Sequence, residues 1–317
     1  MTEIREGRLT PRRVVVSEKR GRRPSDWVRR DEEKTDRDCP FCPGHEAETP
    51  PEVWALRDEG TSADEPGWTV RVIPNKYPIA APHELIIETP RHDADLPDLS
   101  VPETEHVVEA YQNRLSTVAG QDGVVYPALF KNVGRAAGAS RAHLHSQLIG
   151  LSFVPPSIEA ELRMADAHRE AQESCLYCDT IAEELNAGDR VIWADDDFLV
   201  WSPQAAIAPY ECWILPRAHT ADFRGIDDER RSALARVLTR TVNALYGVFE
   251  GRFAYNYYLH TAPLGDHDRA AEGFHWHLEI LPRLGTPAGL EWGSGVYVNA
   301  VPPERAAREL AGHMSNG

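Results

Sequence analysis

Cysteine and histidine recur in this chain in one order, twice. Cys39-Pro-Phe-Cys42 is followed by His92 and by His143-Leu-His145; Cys175-Leu-Tyr-Cys178 is followed by His219 and by His275-Trp-His277. A C-x-x-C turn offers two thiolates to a tetrahedral ion, and two imidazoles complete the set of a closed structural zinc site. The pattern therefore predicts two zinc ions per chain, one on Cys39, Cys42, His92 and His143, the other on Cys175, Cys178, His219 and His275. One C-x-x-C alone carries little weight, but the same register met twice carries a good deal. His45 competes for the first site and has no counterpart in the second copy.

The second histidine of the first H-x-H is the candidate nucleophile. Alternate residues of a strand face the same side, so an ion on His143 holds His145 beside it with a ring nitrogen to spare. Imidazole attacks phosphorus well, leaves well and is partly neutral near pH 7, so a covalent phosphoramidate is within reach. Gln147, the next residue on that face, offers an amide that stabilises charge without moving a proton. In the second copy His277 takes the place of His145, but Glu279 takes that of Gln147. A carboxylate there repels phosphate, so the second copy reads as structural. The stretch Leu129-Phe130-Lys-Asn132-Val-Gly134-Arg-Ala-Ala-Gly138-Ala-Ser140 leads into the first H-x-H and has the small residues and donors of a phosphate cradle.

The elements that carry these residues repeat too. Pro82–His92 aligns without a gap on Pro209–His219. Thr69–Ile73, Glu84–Glu88 and Glu211–Leu215 read as strands. Ser100 and Glu103 have capping-box spacing before an apolar face of Val107, Val108, Tyr111 and Leu115. Asp227 caps a second helix with Leu234, Val237, Leu238, Val242 and Leu245 at the same period. Tyr126–Lys131 and Phe253–Leu259 are further strands, followed by the H-x-H strands His143–Ile149 and His275–Leu281. Segments 30–66 and 264–272 read as loops. The order predicts an α+β fold of mostly antiparallel sheets flanked by helices, in two tandem units, 1–160 and 161–317, joined near Pro155-Pro156.

A formal net charge of −16 argues against a nucleic-acid partner, whose phosphates need a broad basic face. The local cluster Lys19-Arg20-Gly-Arg-Arg23 still suits a small anion. No run of about 18 apolar residues and no signal-peptide core is found, so no membrane span and a cytoplasmic, thiol-preserving location are expected. Cys212, in an apolar run, is expected in the core.

Taken together, Phe130-Lys-Asn-Val-Gly, Gly138-Ala-Ser-Arg-Ala-His143-Leu-His145-Ser-Gln147 and the cysteine–histidine register resemble the galactose-1-phosphate uridylyltransferase family of the histidine-triad superfamily. The resemblance spans almost the whole chain and implies two histidine-triad-like domains and a homodimer. It implies that His145 becomes nucleotidylated and that Gln147 contacts the transferred phosphoryl group. It assigns Asn75, Asn132 and Ser140 to the nucleotide and Arg20 and Arg23 to the substrate phosphates. Leu144 stands where the best-known uridylyltransferases have proline, and their hexose-binding stretch is not recognisable. Phe274-His-Trp276 and Glu291–Asn299 instead resemble the ADP-glucose phosphorylase branch, which also shares a second Cys/Cys/His/His site. The resemblance thus implies a ping-pong enzyme acting on a nucleotide-sugar and a sugar 1-phosphate or phosphate. The first reading is a UDP-glucose:hexose-1-phosphate uridylyltransferase of galactose metabolism, and the alternative is an ADP-glucose phosphorylase. A non-enzymatic, zinc-stabilised nucleotide-binding protein is the alternative outside catalysis.

Overall fold

Each half of the sequence lays its strands outward from a common centre in the same order. The structure, a computed structural model, describes residues 2–19, 38–265 and 272–314. In the first half β3 (Trp54–Arg57), β4 (Trp68–Pro74), β5 (His83–Ile87), β6 (Tyr126–Val133) and β7 (His145–Leu151) run outward as β6-β7-β5-β4-β3. In the second, β8 (Val191–Ala194), β9 (Phe198–Trp201), β10 (Cys212–Pro216), β11 (Tyr255–His260) and β12 (His277–Pro282) run outward as β11-β12-β10-β9-β8. β6 pairs with β11, Lys131 opposite Tyr257, so the ten strands form one antiparallel sheet through both halves. Residues 160 and 161, where the two units were expected to meet, both lie inside helix α2 (Pro156–Gln172).

Helices α1 (Val101–Ala119) and α4 (Asp228–Phe249) form where the capping signals place them. Ser100 Oγ accepts from the Glu103 N–H at 3.4 Å, and the Glu103 carboxylate accepts from the Ser100 N–H at 2.8 Å. Asp227 accepts from the Arg230 N–H at 2.8 Å. These bonds satisfy donors that the first helical turn leaves unpaired. Val107, Val108, Tyr111, Leu115, Leu234, Val237, Leu238, Val242 and Leu245 are all buried, and the two helices pack together on one sheet face against Val72, Ile86, Leu129, Leu148, Tyr257 and Ile280. Each large apolar side chain withdrawn from water there contributes about 1.5–3 kcal/mol. Helix α6 (Pro303–Met314) packs on α4, whereas the short α5 (Gly289–Ser294) has no buried residue.

The opposite face is covered differently in the two halves. Over the first half lies the loop bearing Cys39 and Cys42, with Phe41 against Trp68, Ile73 and Ile87. Over the second lie α2 and α3 (Leu176–Ala187), with Ala165, Leu176, Tyr177 and Ile181 against Leu199, Trp201, Trp213 and Leu215. Cys212 is fully buried in the core, as expected.

The structure differs from the sequence reading in several places, beginning with strands β8 and β9, which the sequence reading does not assign. Segment 30–66, read as loop, contains β3, an edge strand without apolar–polar alternation. β1 (Thr2–Glu6), β2 (Arg13–Ser17) and β13 (Val296–Asn299) form a second, three-stranded sheet in which β13 runs parallel to β2. That pairing joins the two ends of the chain and leaves no local signature. Finally, β7 and β12 begin at the second histidine of each H-x-H, not the first.

Directly behind His145, on the helical face, lies a buried ion pair. Lys131 Nζ donates to Glu88, which also accepts from Tyr111 Oη and Ser146 Oγ, both at 2.5 Å. Both charged side chains are fully buried. Lys131→Met leaves that carboxylate buried without its counter-charge, and is expected to destabilise the fold by about 3–5 kcal/mol in urea melts. Adding Glu88→Gln to the same protein should recover most of the loss, because the pair is then removed as a unit.

Candidate active site and metal centres

The two cysteine–histidine sets come together as the spacing predicts. Cys39 and Cys42 lie on a tight turn closed by the Cys42 N–H donating to the Cys39 carbonyl at 3.1 Å. His143 Nδ1 lies 3.7 Å from Cys39 Sγ and 3.6 Å from Cys42 Sγ, and His92 Nδ1 lies 3.4 Å from Cys42 Sγ. A tetrahedral zinc site with Zn–S near 2.3 Å and Zn–N near 2.05 Å has S···N edges of about 3.6 Å. The donors thus already stand at the corners such an ion requires. In the second set Cys178 Sγ lies 3.5 Å from His219 Nδ1 and 4.0 Å from His275 Nδ1, and Cys175 completes the group.

The outer contacts repeat as well. His143 Nε2 donates to the Thr89 carbonyl and His275 Nε2 to the Pro216 carbonyl, each at 2.7 Å. Each bond leaves Nδ1 as the lone-pair nitrogen and aims it at the thiolates, the usual outer-shell arrangement of a metal-bound histidine. Burial lowers His143 to a pKa of about 4, which keeps it neutral, as a ligand must be. Both groups of four could hold a metal ion. His45, the competing ligand, lies outside the group and pairs with Glu48 at 3.0 Å.

His145 opens β7, paired with Ile87 of β5, and is 5% exposed. Its Nδ1 lies 2.8 Å from the His143 carbonyl, an obligate acceptor, so Nδ1 carries the hydrogen and Nε2 keeps the lone pair. Burial lowers its pKa, with the His143 carbonyl opposing, so the neutral form prevails near pH 7. The Phe41 ring stands edge-on at 5.5 Å and fixes the imidazole from the loop side. Gln147 follows on the same face, half-buried, with Oε1 3.0 Å from His83 Nε2. Asn75, whose Nδ2 lies 3.2 Å from the same nitrogen, completes this group. Sequence reasoning did not single out His83, whose only signal was its place at the start of a strand.

The small-residue loop is a tight turn. Gly134 and Gly138 have φ of 80° and 86°, a region in which side chains are strained. Three of its N–H groups, on Ala137, Gly138 and Ala139, donate to the loop's own carbonyls, which engages them in shaping the turn. Asn256 of β11 ties the loop down, its Nδ2 donating to Asn132 Oδ1 at 2.7 Å and to the Ala137 carbonyl at 2.8 Å. Ser140 is exposed at the loop's far end. Arg20 and Arg23, the expected phosphate contacts, lie outside the described residues.

The second H-x-H sits in a different setting. His277 repeats the Nδ1 bond, 3.0 Å from the His275 carbonyl, but is fully buried, with Trp213 stacked on it at 4.8 Å. Its Nε2 faces Glu279 at 3.5 Å and Glu161 at 3.8 Å. Arg12 reaches in from the N-terminal segment, donating to Glu279 at 3.0 Å and to Glu211 at 3.1 Å. Burial pushes the Glu279 carboxyl up, but Arg12 and the flanking histidines outweigh it and hold the group ionised. Glu161, His260, His277 and Glu279 thus form a buried charge network that the sequence did not reveal.

Comparison with known proteins places this arrangement. Residues 82–155 match the N-terminal domain model of galactose-1-phosphate uridyl transferase, and residues 161–284 its C-terminal domain model. An ADP-glucose phosphorylase of Arabidopsis thaliana is 30% identical over 97% of this chain and 92% of its own length. A galactose-1-phosphate uridylyltransferase of Thermotoga maritima is 28% identical over 98% of both chains. A crystal structure of an Arabidopsis thaliana ADP-glucose phosphorylase with bound ADP-glucose superposes with a TM-score of 0.87 at 31% identity, covering 98% of this chain and 99% of that one. With two family models and full-length relatives in agreement, the chain belongs to the galactose-1-phosphate uridyl transferase family of nucleotidyltransferases.

Proposed function

We propose that the chain moves a nucleotidyl group between a nucleoside diphosphate hexose and a phosphate-bearing acceptor through a covalent intermediate on His145. The observation that carries this reading is the His145 imidazole, neutral, with Nδ1 tied to the His143 carbonyl and Nε2 left as the attacking nitrogen. The Nε2 lone pair forms a bond to the α-phosphorus. The bond from that phosphorus to the bridging oxygen breaks, and hexose 1-phosphate leaves with the electron pair. Its departure as a phosphate monoester needs no strong acid, which suits a glutamine at 147. In the return step an acceptor phosphate oxygen attacks the same phosphorus and the N–P bond returns its electrons to Nε2. Gln147 donates to a non-bridging oxygen, Asn75, Asn132 and Ser140 hold the nucleotide, and Arg20 and Arg23 offset phosphate charge.

In this reading zinc on the two Cys/Cys/His/His groups supplies structure alone, because four protein ligands leave no open position. His277 takes no part: the carboxylates of Glu161 and Glu279 beside its Nε2 exclude an anionic substrate.

UDP-glucose as donor with a hexose 1-phosphate as acceptor is the first reading, supported by the family models and the full-length Thermotoga maritima relative. ADP-glucose with inorganic phosphate is the second, favoured by the similarity to the ADP-glucose-bound Arabidopsis thaliana protein. Assay of UDP-glucose and ADP-glucose against galactose 1-phosphate and phosphate separates them. The preferred pair should exceed the crossed pairs by at least about 100-fold in kcat/KM, the discrimination expected when a site hydrogen-bonds one base edge and not the other.

A further inference from the structure

We propose that His83 is a positioning residue that sets the direction of the Gln147 amide, a reading that rests on Gln147 acting on the transferred phosphoryl group. His83 is buried at the start of β5, with its backbone pinned on both sides. Its carbonyl accepts from the Asn75 N–H at 2.8 Å, and the adjoining Pro82 carbonyl accepts from the Gly150 N–H of β7 at 2.9 Å. Gly150 permits this approach, since a Cβ there would stand 2.6 Å from the Pro82 ring. The imidazole is therefore fixed to the strand that carries Gln147.

The hydrogen bonds of that ring decide its tautomer. The Ile79 backbone N–H, a donor that cannot reverse, points at Nδ1 at 3.2 Å. Nδ1 is thus an acceptor, and in the neutral ring the hydrogen sits on Nε2. Two side chains face Nε2. Asn75 has its Oδ1 engaged by the Tyr77 N–H at 2.9 Å, so it turns its Nδ2 donor toward the ring. Gln147 Oε1, at 3.0 Å, is the acceptor that remains. With its oxygen held by His83, Gln147 must direct its NH2 group away from the ring. A freely turning amide would present oxygen to a phosphoryl oxygen as readily as nitrogen; a held one presents only the donor. Burial lowers the His83 pKa, which favours the neutral ring, while the bond to Gln147 opposes it. Asn75 Nδ2, 3.2 Å from the same nitrogen, cannot donate to it once Nε2 carries the hydrogen.

Two substitutions divide the ring into its halves. His83→Gln places an amide nitrogen where Nε2 stands and keeps the donor to Gln147. His83→Asn places an amide oxygen where Nδ1 stands and keeps only the acceptor for Ile79. In single-turnover formation of the nucleotidyl adduct, His83→Gln should stay within about threefold of the wild-type limiting rate, whereas His83→Asn should lose about 10- to 100-fold in that rate with the half-saturating donor concentration within about twofold. His83→Asn should cost nothing further when Gln147 is already alanine. The reverse ranking, or equal rates for both variants, overturns the proposal. In the wild-type protein without substrate, imidazole 15N shifts, assigned by the signal lost in His83→Gln, should show the Nε2–H tautomer; the Nδ1–H tautomer overturns it. If the wild-type protein forms no adduct with any nucleotide-sugar, the functional reading fails instead, and the 15N measurement still decides the tautomer.

Discussion

Replacing His145 with glycine is expected to abolish nucleotidyl transfer, by roughly 10⁵-fold or more, and to leave the fold and both cysteine–histidine groups in place. The loss is of that size because the nucleophile has no substitute within reach. His92 and His143 have their Nδ1 atoms turned to the thiolates of Cys39 and Cys42, and the His83 ring is held between Ile79 and Gln147. His277, in the corresponding position of the other half, is fully buried between Trp213 and two carboxylates. Removal of a covalent nucleophile costs on the order of 10⁶ in kcat where the rest of the site survives. Stability should suffer little. His145 is the first residue of β7 and anchors no ion pair, so glycine there costs about 1 kcal/mol in backbone entropy and lost contact with Phe41. The check is multiple-turnover exchange beside zinc content. Activity within tenfold of wild type removes the covalent mechanism.

Disruption of either cysteine–histidine group comes next in size, and the two should differ in kind. The wild-type protein should carry two equivalents of zinc by elemental analysis, and Cys39→Ala and Cys175→Ala should each carry one. A structural zinc contributes about 10–16 kcal/mol of binding free energy near neutral pH, so each loss should lower the melting temperature by well over about 10 °C. The consequence for chemistry is set by which group contains His143, two residues before His145. His143 is the residue whose carbonyl holds His145 Nδ1, so releasing its ring from the Cys39 group frees the nucleophile to turn. Cys39→Ala is therefore expected to reduce adduct formation about 100-fold or more at temperatures where it remains folded. Cys175 immediately precedes α3, in a group that does not include His143, so Cys175→Ala should retain adduct formation within about tenfold below its own melting temperature. Equal damage from both would mean that the halves are not separable in function.

Much of this was legible in the residues because duplication supplies an internal comparison. The ligand sets and the capped helices repeat in the sequence and in space, and in space the strand order repeats with them. What the sequence did not show depends on pairing across long separations. The β1-β2-β13 sheet joins residues near both ends of the chain, and no local pattern signals it. Arg12 carries no signal in the sequence, yet it lies against Glu211 and Glu279, 199 and 267 residues further along the chain. His83 and Asn256 went unnoticed for the same reason: each acts by touching a residue of another strand, Gln147 in one case and Asn132 in the other. The cradle expected from Leu129 to Ser140 rests on composition, and composition does not reveal that three of its N–H groups close the turn itself.

The most direct test of the central claim is mass spectrometry of the intact protein mixed with UDP-glucose or ADP-glucose in the absence of acceptor, followed by peptide mapping. A gain equal to one nucleoside monophosphate residue, located on the peptide containing His145 and reversed by adding hexose 1-phosphate or phosphate, is the predicted result. Turnover of the same donor with no adduct, or an adduct on any other residue, would contradict a covalent intermediate on His145.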